Sequence, residues 1–298
     1  MFGKIALKAL PLVPKSVVRD VASRYVAGTG IDDALNTVRA LNRKSVRATV
    51  DILGENATGE EADGVLAQYM EIAKQINEQG LNSGISVKPS HFAAHEAQAE
   101  AFERIKKLVK YCENLGVFVR LDMESSSMTD LTLDYYFRLA KEFGNIGVVI
   151  QAYLKRSAED MRKLADVRAN VRLCKGIYNE SADIAYKSRD EIKANYLDMA
   201  RSYLGTNGFL GIATHDRKII AEMDDFVEKQ QISTDRFEFQ SLLGVPIDDT
   251  MMEMVKKGRF WRVYVPYGEQ WYDYSIRRLK ENPQIAAYVI KHILGGKT

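Results

Sequence analysis

An α/β fold closed as a (β/α)8 TIM-type barrel, with an N-terminal helical extension, is the architecture this sequence predicts, and three observations predict it. Eight short runs of apolar, β-branched or aromatic residues appear from residue 45 onward. Segments of helical period separate them, as in βα units packed around a parallel sheet. The alternation fills about 250 residues, the size and strand count of a closed barrel. An open doubly wound sheet is the rival, but it usually carries a Gly-rich dinucleotide turn after its first strand. The corresponding stretch here reads DILGENATG, which is not GxGxxG.

Taken in order, residues 1–44 make the extension, with Val17, Val18, Val21 and Tyr25 on one helical face and Ile31, Leu35, Val38 and Leu41 on another. The barrel occupies 45–298. Its first strand is expected at Ser45–Leu53, followed by a helix over Glu60–Gln79 whose Glu60-Glu61 pair suits the positive end of the helix dipole. Strand Gly84–Pro89 and helix Ala94–Asn114 come next, then Val117–Met123 with Thr129–Glu142. The fourth unit is Gly147–Tyr153 with Ala158–Val167, where Glu159-Asp160 reads as another solvated acidic start. Val171–Gly176 with Ala182–Leu204, Leu210–Thr214 with Lys218–Gln230, and Phe237–Leu242 with Asp248–Lys257 complete seven units. The eighth strand, Trp261–Pro266, precedes a helix over Trp271–Lys280, and a strongly apolar helix over Ile285–Leu294 starts after Pro283.

Composition narrows the function. With 298 residues, 46% apolar and 28% charged, and 42 basic against 40 acidic side chains (net +2), the chain is an ordinary globular protein and not a disordered one. No basic stripe with interleaved aromatics marks a nucleic-acid surface. Cys112 and Cys174 are far apart and belong to no CxxC or Cys/His cluster, so neither a disulfide framework nor a metal site is expected. His91 and His95 in HFAAH lack the glutamate of HExxH and read as surface residues. Lys8 interrupts the apolar stretch Ile5–Val13, so no signal peptide is expected, and no run reaches the ~18–20 apolar residues of a spanning helix. The expected location is the cytoplasm, with peripheral contact at the inner membrane face through a terminal helix left open.

Barrel enzymes place their chemistry where the strands run out at their C-terminal ends, so polar residues at those points carry the functional reading. Lys88, Asp122, Gln151, Arg172 and His215 all stand there. Any one of them could be structural, and Asp122 with Lys88 could be a buried ion pair. Together they describe a polar, net-basic mouth suited to anionic ligands. Gly176 beside Lys175 allows close backbone approach to a phosphate. A second concentration follows the last strand, where Tyr264, Tyr267, Trp271, Tyr272 and Tyr274 surround Arg277 and Arg278. The plain reading is an i, i+4 pair of Arg277 with Glu281, and the functional one is a bidentate carboxylate clamp beside an aromatic wall.

At this point the chain resembles a specific family, the monofunctional bacterial proline dehydrogenases, flavoenzymes on a distorted (β/α)8 barrel. The resemblance covers nearly the whole chain and rests on motifs in the family's order. These are LGE at 53–55, SVKPS at 86–90, RLDME at 120–124, RLCKGIY at 172–178, ATHD at 213–216, FEFQSLLG at 237–244, RVYVPYG at 262–268 and YSIRRLKEN at 274–282. It implies a noncovalent FAD across the barrel mouth and oxidation of L-proline to Δ1-pyrroline-5-carboxylate by hydride transfer. By the family's pattern Arg277, Arg278 and Lys88 bind the substrate carboxylate and Tyr264 packs on its ring. Arg172 and Gln151 reach the flavin, and Lys175, Gly176, Ile177, Thr214, His215 and the backbone of Met123 line the rest of the cofactor. Asp122 corresponds to an active-site carboxylate, and Glu55 to a gate residue that pairs with the first clamp arginine. The implied partners are a quinone-type electron acceptor and a separate pyrroline-5-carboxylate dehydrogenase, since the chain stops at Thr298 with no second dehydrogenase domain. Two rivals remain: a Schiff-base aldolase or lyase using Lys88 or Lys175, and a non-catalytic amino-acid-binding module.

Overall fold

All eight expected strands form, and they close on one another in sequence order with every neighbour parallel, β8 returning to β1. They are β1 (Arg47–Ile52), β2 (Ser83–Val87), β3 (Val119–Leu121), β4 (Ile146–Gln151), β5 (Asn170–Cys174), β6 (Phe209–Ala213), β7 (Phe237–Leu242) and β8 (Trp261–Tyr267). This computed structural model describes residues 23–272 and 274–276. The faces expected at Val17–Val21, the arginines 277 and 278 and the apolar helix at 285–294 lie outside the described residues.

The helices are α1 (Ile31–Asn42), α2 (Gly59–Glu78), α3 (Gln98–Asn114), α4 (Thr129–Leu139), α5 (Ser157–Asp166), α6 (Arg189–Leu204), α7 (Arg217–Lys229) and α8 (Asp248–Lys256). Two start later than their periodicity suggests. A 3-10 turn over Pro89–Phe92, ended by Ala93 in the left-handed region, delays α3 from Ala94 to Gln98. The α6 helix begins at Arg189 because Ser188 and Glu191 make a capping box there. The residues before it run instead along the wall, with Ala185 bridged to Leu154. Glu61 caps α2 in the same way through Thr58. Asp160 departs from its expected solvated role, being buried and paired with Arg156 one turn away.

Period-2 alternation sorts each strand into two faces. Outward residues such as Val50, Ile85, Leu121, Val148 and Val263 are apolar and meet the helices. Inward residues are largely polar, and Arg172 on β5 bonds to Ser86 on β2, to Asp122 just after β3 and to Gln240 on β7. Glycines make room for these long side chains: a Cβ on Gly147 would collide with the Arg120 guanidinium, and one on Gly211 with the Gln240 amide.

The ring of helices has one unusual member. The α1 helix buries Ala34, Leu35 and Val38 and packs against both β8 and β1, covering the seam between last and first strands. After β8 the chain turns helical again at 271–272 and 274–276, and there Trp271 and Tyr274 pack with Tyr25, Val26 and Leu53 at the C-terminal end of β1. Among the described residues no helix is long and apolar enough to cross a membrane.

Candidate active site

A cavity of about 300 Å³ opens at the C-terminal ends of the strands. Its volume lies within the range of small-molecule sites. Every described residue expected at the site lines it: Glu55 after β1, Lys88 after β2, Asp122 and Met123 after β3, Gln151 ending β4, Arg172 on β5, Lys175, Gly176 and Ile177 after β5, Thr214 and His215 after β6, and Tyr264 on β8. Arg277 and Arg278 lie outside the described residues.

Lys88 does not pair with Asp122. Its ammonium donates to both oxygens of Asp51, each at 2.9 Å, and Asp51 is 1% exposed. The register explains this choice: Asp51 faces Ser86 across β1 and β2, and the lysine stem two residues further along reaches back to it. Burial by itself would lower the lysine, but attraction to Asp51 and then Asp122 overrides it and holds Lys88 above the usual lysine range.

Asp122 is instead the hub of a second cluster. Its Oδ1 accepts from Ser86 Oγ at 2.7 Å and Arg172 Nη1 at 2.9 Å, and its Oδ2 accepts from the Tyr264 hydroxyl at 2.8 Å. Burial, and then the charge of Asp122, push the Tyr264 phenol well above its ordinary value, so it remains a donor. The Arg172 guanidinium lies 5.3 Å from the centre of the Tyr264 ring. Its Nε donates to Gln240 at 2.7 Å, and Gln240 passes the chain to Glu238, which also accepts from Arg262 and Arg47. Arg172 is thus held from three sides, and its remaining nitrogen, Nη2, makes no hydrogen bond with the described residues.

Among the described residues these pairs balance the expected net-basic mouth. The cations lining the cavity, Lys88, Arg172 and Lys175, are answered by Asp51, Asp122 and Asp216. Glu55 adds a further acidic group to the lining. His215 Nε2 accepts the Leu242 N–H at 3.1 Å, which requires that nitrogen to be unprotonated. Charge balance among the described residues therefore leaves no surplus cation, with Asp51 supplying the carboxylate that offsets Lys88.

The opposite wall has a different character. Gln151 is 3% exposed, and its Oε1 is buried with no partner among the described residues. A buried carbonyl left so costs about 1–3 kcal/mol, a debt that a ligand donor can cancel. Gly176 has φ +99, and a Cβ there would collide with the Tyr153 ring, so the chain turns tightly at this rim. Ile177 beside it is 54% exposed. The Lys175–Asp216 pair at 2.8 Å and Thr214, whose Oγ1 accepts the Asp216 N–H, complete that edge.

His91 is a correction to its surface assignment. It is buried, packs edge-on to Tyr69 with ring centroids 6.0 Å apart, and sits over Gly54. Burial first, and the charge of Lys88 next, push its imidazole down to about 4. Among the described residues no His, Cys, Asp and Glu cluster could hold a metal ion.

Comparison with known proteins decides the family. The proline dehydrogenase family profile matches residues 34–290. This chain belongs to the proline dehydrogenase family. Proline dehydrogenase 1 of Bacillus subtilis is 38% identical over 274 residues, covering 92% of this chain and 90% of that protein. The proline dehydrogenase of Deinococcus radiodurans is 33% identical over 287 residues, with 93% and 91% covered. Among solved structures, proline utilization A (PutA) from Bdellovibrio bacteriovorus inactivated by N-propargylglycine superposes with a TM-score of 0.83 at 26% identity. That match covers 94% of this chain and 34% of the other, so the chain spans about a third of that PutA. Membership in the proline dehydrogenase family makes this barrel an enzyme rather than a binding module.

Proposed function

We propose that the chain oxidises L-proline to Δ1-pyrroline-5-carboxylate with noncovalent FAD, the first step of proline catabolism to glutamate, and passes the electrons to a quinone-type acceptor. The observation that carries this reading is the buried, unpartnered Gln151 carbonyl, which shares the cavity lining with Met123, Val149, Cys174 and the fixed guanidinium of Arg172. An amide and a cation beside apolar surface fit a flat heteroaromatic ring with polar edges. Gln151, Arg172 and the backbone of Met123 would hold that ring, while Lys175, Gly176, Ile177, Thr214 and His215 would hold the rest of the cofactor. When bound, FAD supplies an electron-deficient acceptor for hydride from carbon adjacent to nitrogen.

The protein's own part is positioning and electrostatics. Lys88, Arg277 and Arg278 would bind the substrate carboxylate, Tyr264 would pack on the pyrrolidine ring, and Glu55 would close the gate against Arg277. Asp122 orients Arg172 and Tyr264, with both its oxygens occupied, and is not assigned as a carbon base. The substrate ammonium must lose its proton before the nitrogen lone pair can assist, so activity rises in the alkaline direction. Lys88 is unsuited to the Schiff-base alternative, because Asp51 keeps it charged and an ammonium has no lone pair to attack with. The product is consumed by a separate pyrroline-5-carboxylate dehydrogenase, and a lipid-soluble quinone acceptor favours peripheral contact with the inner membrane face from the cytoplasm.

Anaerobic titration tests the reading. The purified protein should be yellow, and L-proline should bleach its flavin absorbance. A colourless protein, or a flavin that proline leaves oxidised, overturns it.

A further inference from the structure

Glu124 does not line the cavity, yet its carboxylate holds Ser90, through which three strand ends are tied together. It is 6% exposed, and its Oε2 accepts the Ser90 backbone N–H at 3.0 Å while its Oε1 accepts the Ser90 hydroxyl. Ser90 Oγ in turn accepts the Asn56 N–H at 3.4 Å, and the Ser90 carbonyl accepts the Ala57 N–H at 3.2 Å. Glu124 stands two residues beyond Asp122, Ser90 two beyond Lys88, and Asn56 one beyond Glu55. A single buried serine therefore links the loops after β1, β2 and β3, and the charge-assisted bonds from Glu124 anchor that serine. Asn56 adopts φ +56, a conformation asparagine tolerates, so the chain turns sharply just after Glu55.

We infer that Glu124 is a positioning residue for the substrate-carboxylate end of the site, fixing through Ser90 the spacing between Lys88 and Glu55 without touching the ligand. The inference rests on proline as the substrate. Glu124→Gln keeps the side-chain volume but removes the charge that strengthens both bonds to Ser90. Ser90→Ala removes only the hydroxyl.

Steady-state kinetics with proline, beside melting temperatures, tests the assignment. Each single variant should raise KM about tenfold, the effect of roughly one buried hydrogen bond, and leave kcat within about twofold. The double variant should show no further rise, because both changes break the same clasp. An unchanged KM in Glu124→Gln overturns the inference, as does a loss confined to kcat that follows the folded fraction, or multiplicative effects in the double variant. Should Glu124→Gln fail to fold, Ser90→Ala decides by the same KM criterion. A wild-type protein that does not oxidise proline overturns the proposed function instead, and so is distinguishable from failure of the Glu124 assignment.

Discussion

Asp51 and Lys88 form a two-point ion pair inside the barrel mouth, with both carboxylate oxygens 2.9 Å from the ammonium. The aspartate side chain is 1% and the lysine 12% exposed, so neither charge can be left to solvent if its partner is removed. Asp51→Asn should strand a buried cation and Lys88→Met a buried anion, each costing about 3–5 kcal/mol. Combining the two removes both charges, so the double variant should lose clearly less than the sum. Denaturant unfolding of the four proteins checks this, and strictly additive losses would show that the pair is not coupled.

Charge balance gives the proposed role of Arg277 and Arg278 its weight. Each described cation of the cavity, Lys88 included, already has a carboxylate, so under the proposed reading the uncompensated positive charge for a substrate carboxylate comes from Arg277 and Arg278. Replacing Arg277 and Arg278 together by methionine should lower kcat/KM for proline by about a thousandfold, the effect of two charge-assisted hydrogen bonds, while the bound flavin remains. The flavin-to-protein absorbance ratio and proline kinetics report the two halves separately. Undiminished turnover would remove the clamp from the account.

His91 predicts an acid limb to stability. Its folded value of about 4 lies below the ordinary 6.5, so folding favours the neutral ring. The corresponding stabilisation is fully present above pH 6.5 and is lost as the pH falls through about 4, because the unfolded chain binds the proton first. The shift amounts to about 3 kcal/mol. Melting temperatures between pH 7.5 and 4.5 should fall less steeply for His91→Asn than for wild type. Parallel curves would disprove the assignment.

Much of this was legible before any coordinates. Buried apolar runs interrupted by turns mark all eight strands, and polar residues where those runs end place Lys88, Asp122, Gln151 and Arg172 on one cavity. What strand position does not encode is the partner of each charge. Asp51 lies within β1, and only the β1–β2 register shows that Lys88 reaches it before Asp122. Arg172 spans from β5 to β2, β3 and β7, contacts between residues 50 to 86 positions apart that no local spacing records. His91 is buried although its polarity argues for exposure, because Tyr69 and Gly54 enclose it. The late start of α6 was readable in Ser188 and Glu191, a capping signal that apolar periodicity overlooks.

The helix Ile31–Asn42 seals the joint between first and last strands although it precedes both. The described residues after β8 serve another end, for Trp271 and Tyr274 roof Leu53. Truncation into the sealing helix attacks the cylinder itself. Alteration of the roof is felt first by whatever occupies the chamber beneath, which makes that turn the natural place to retune ligand choice without dismantling the protein.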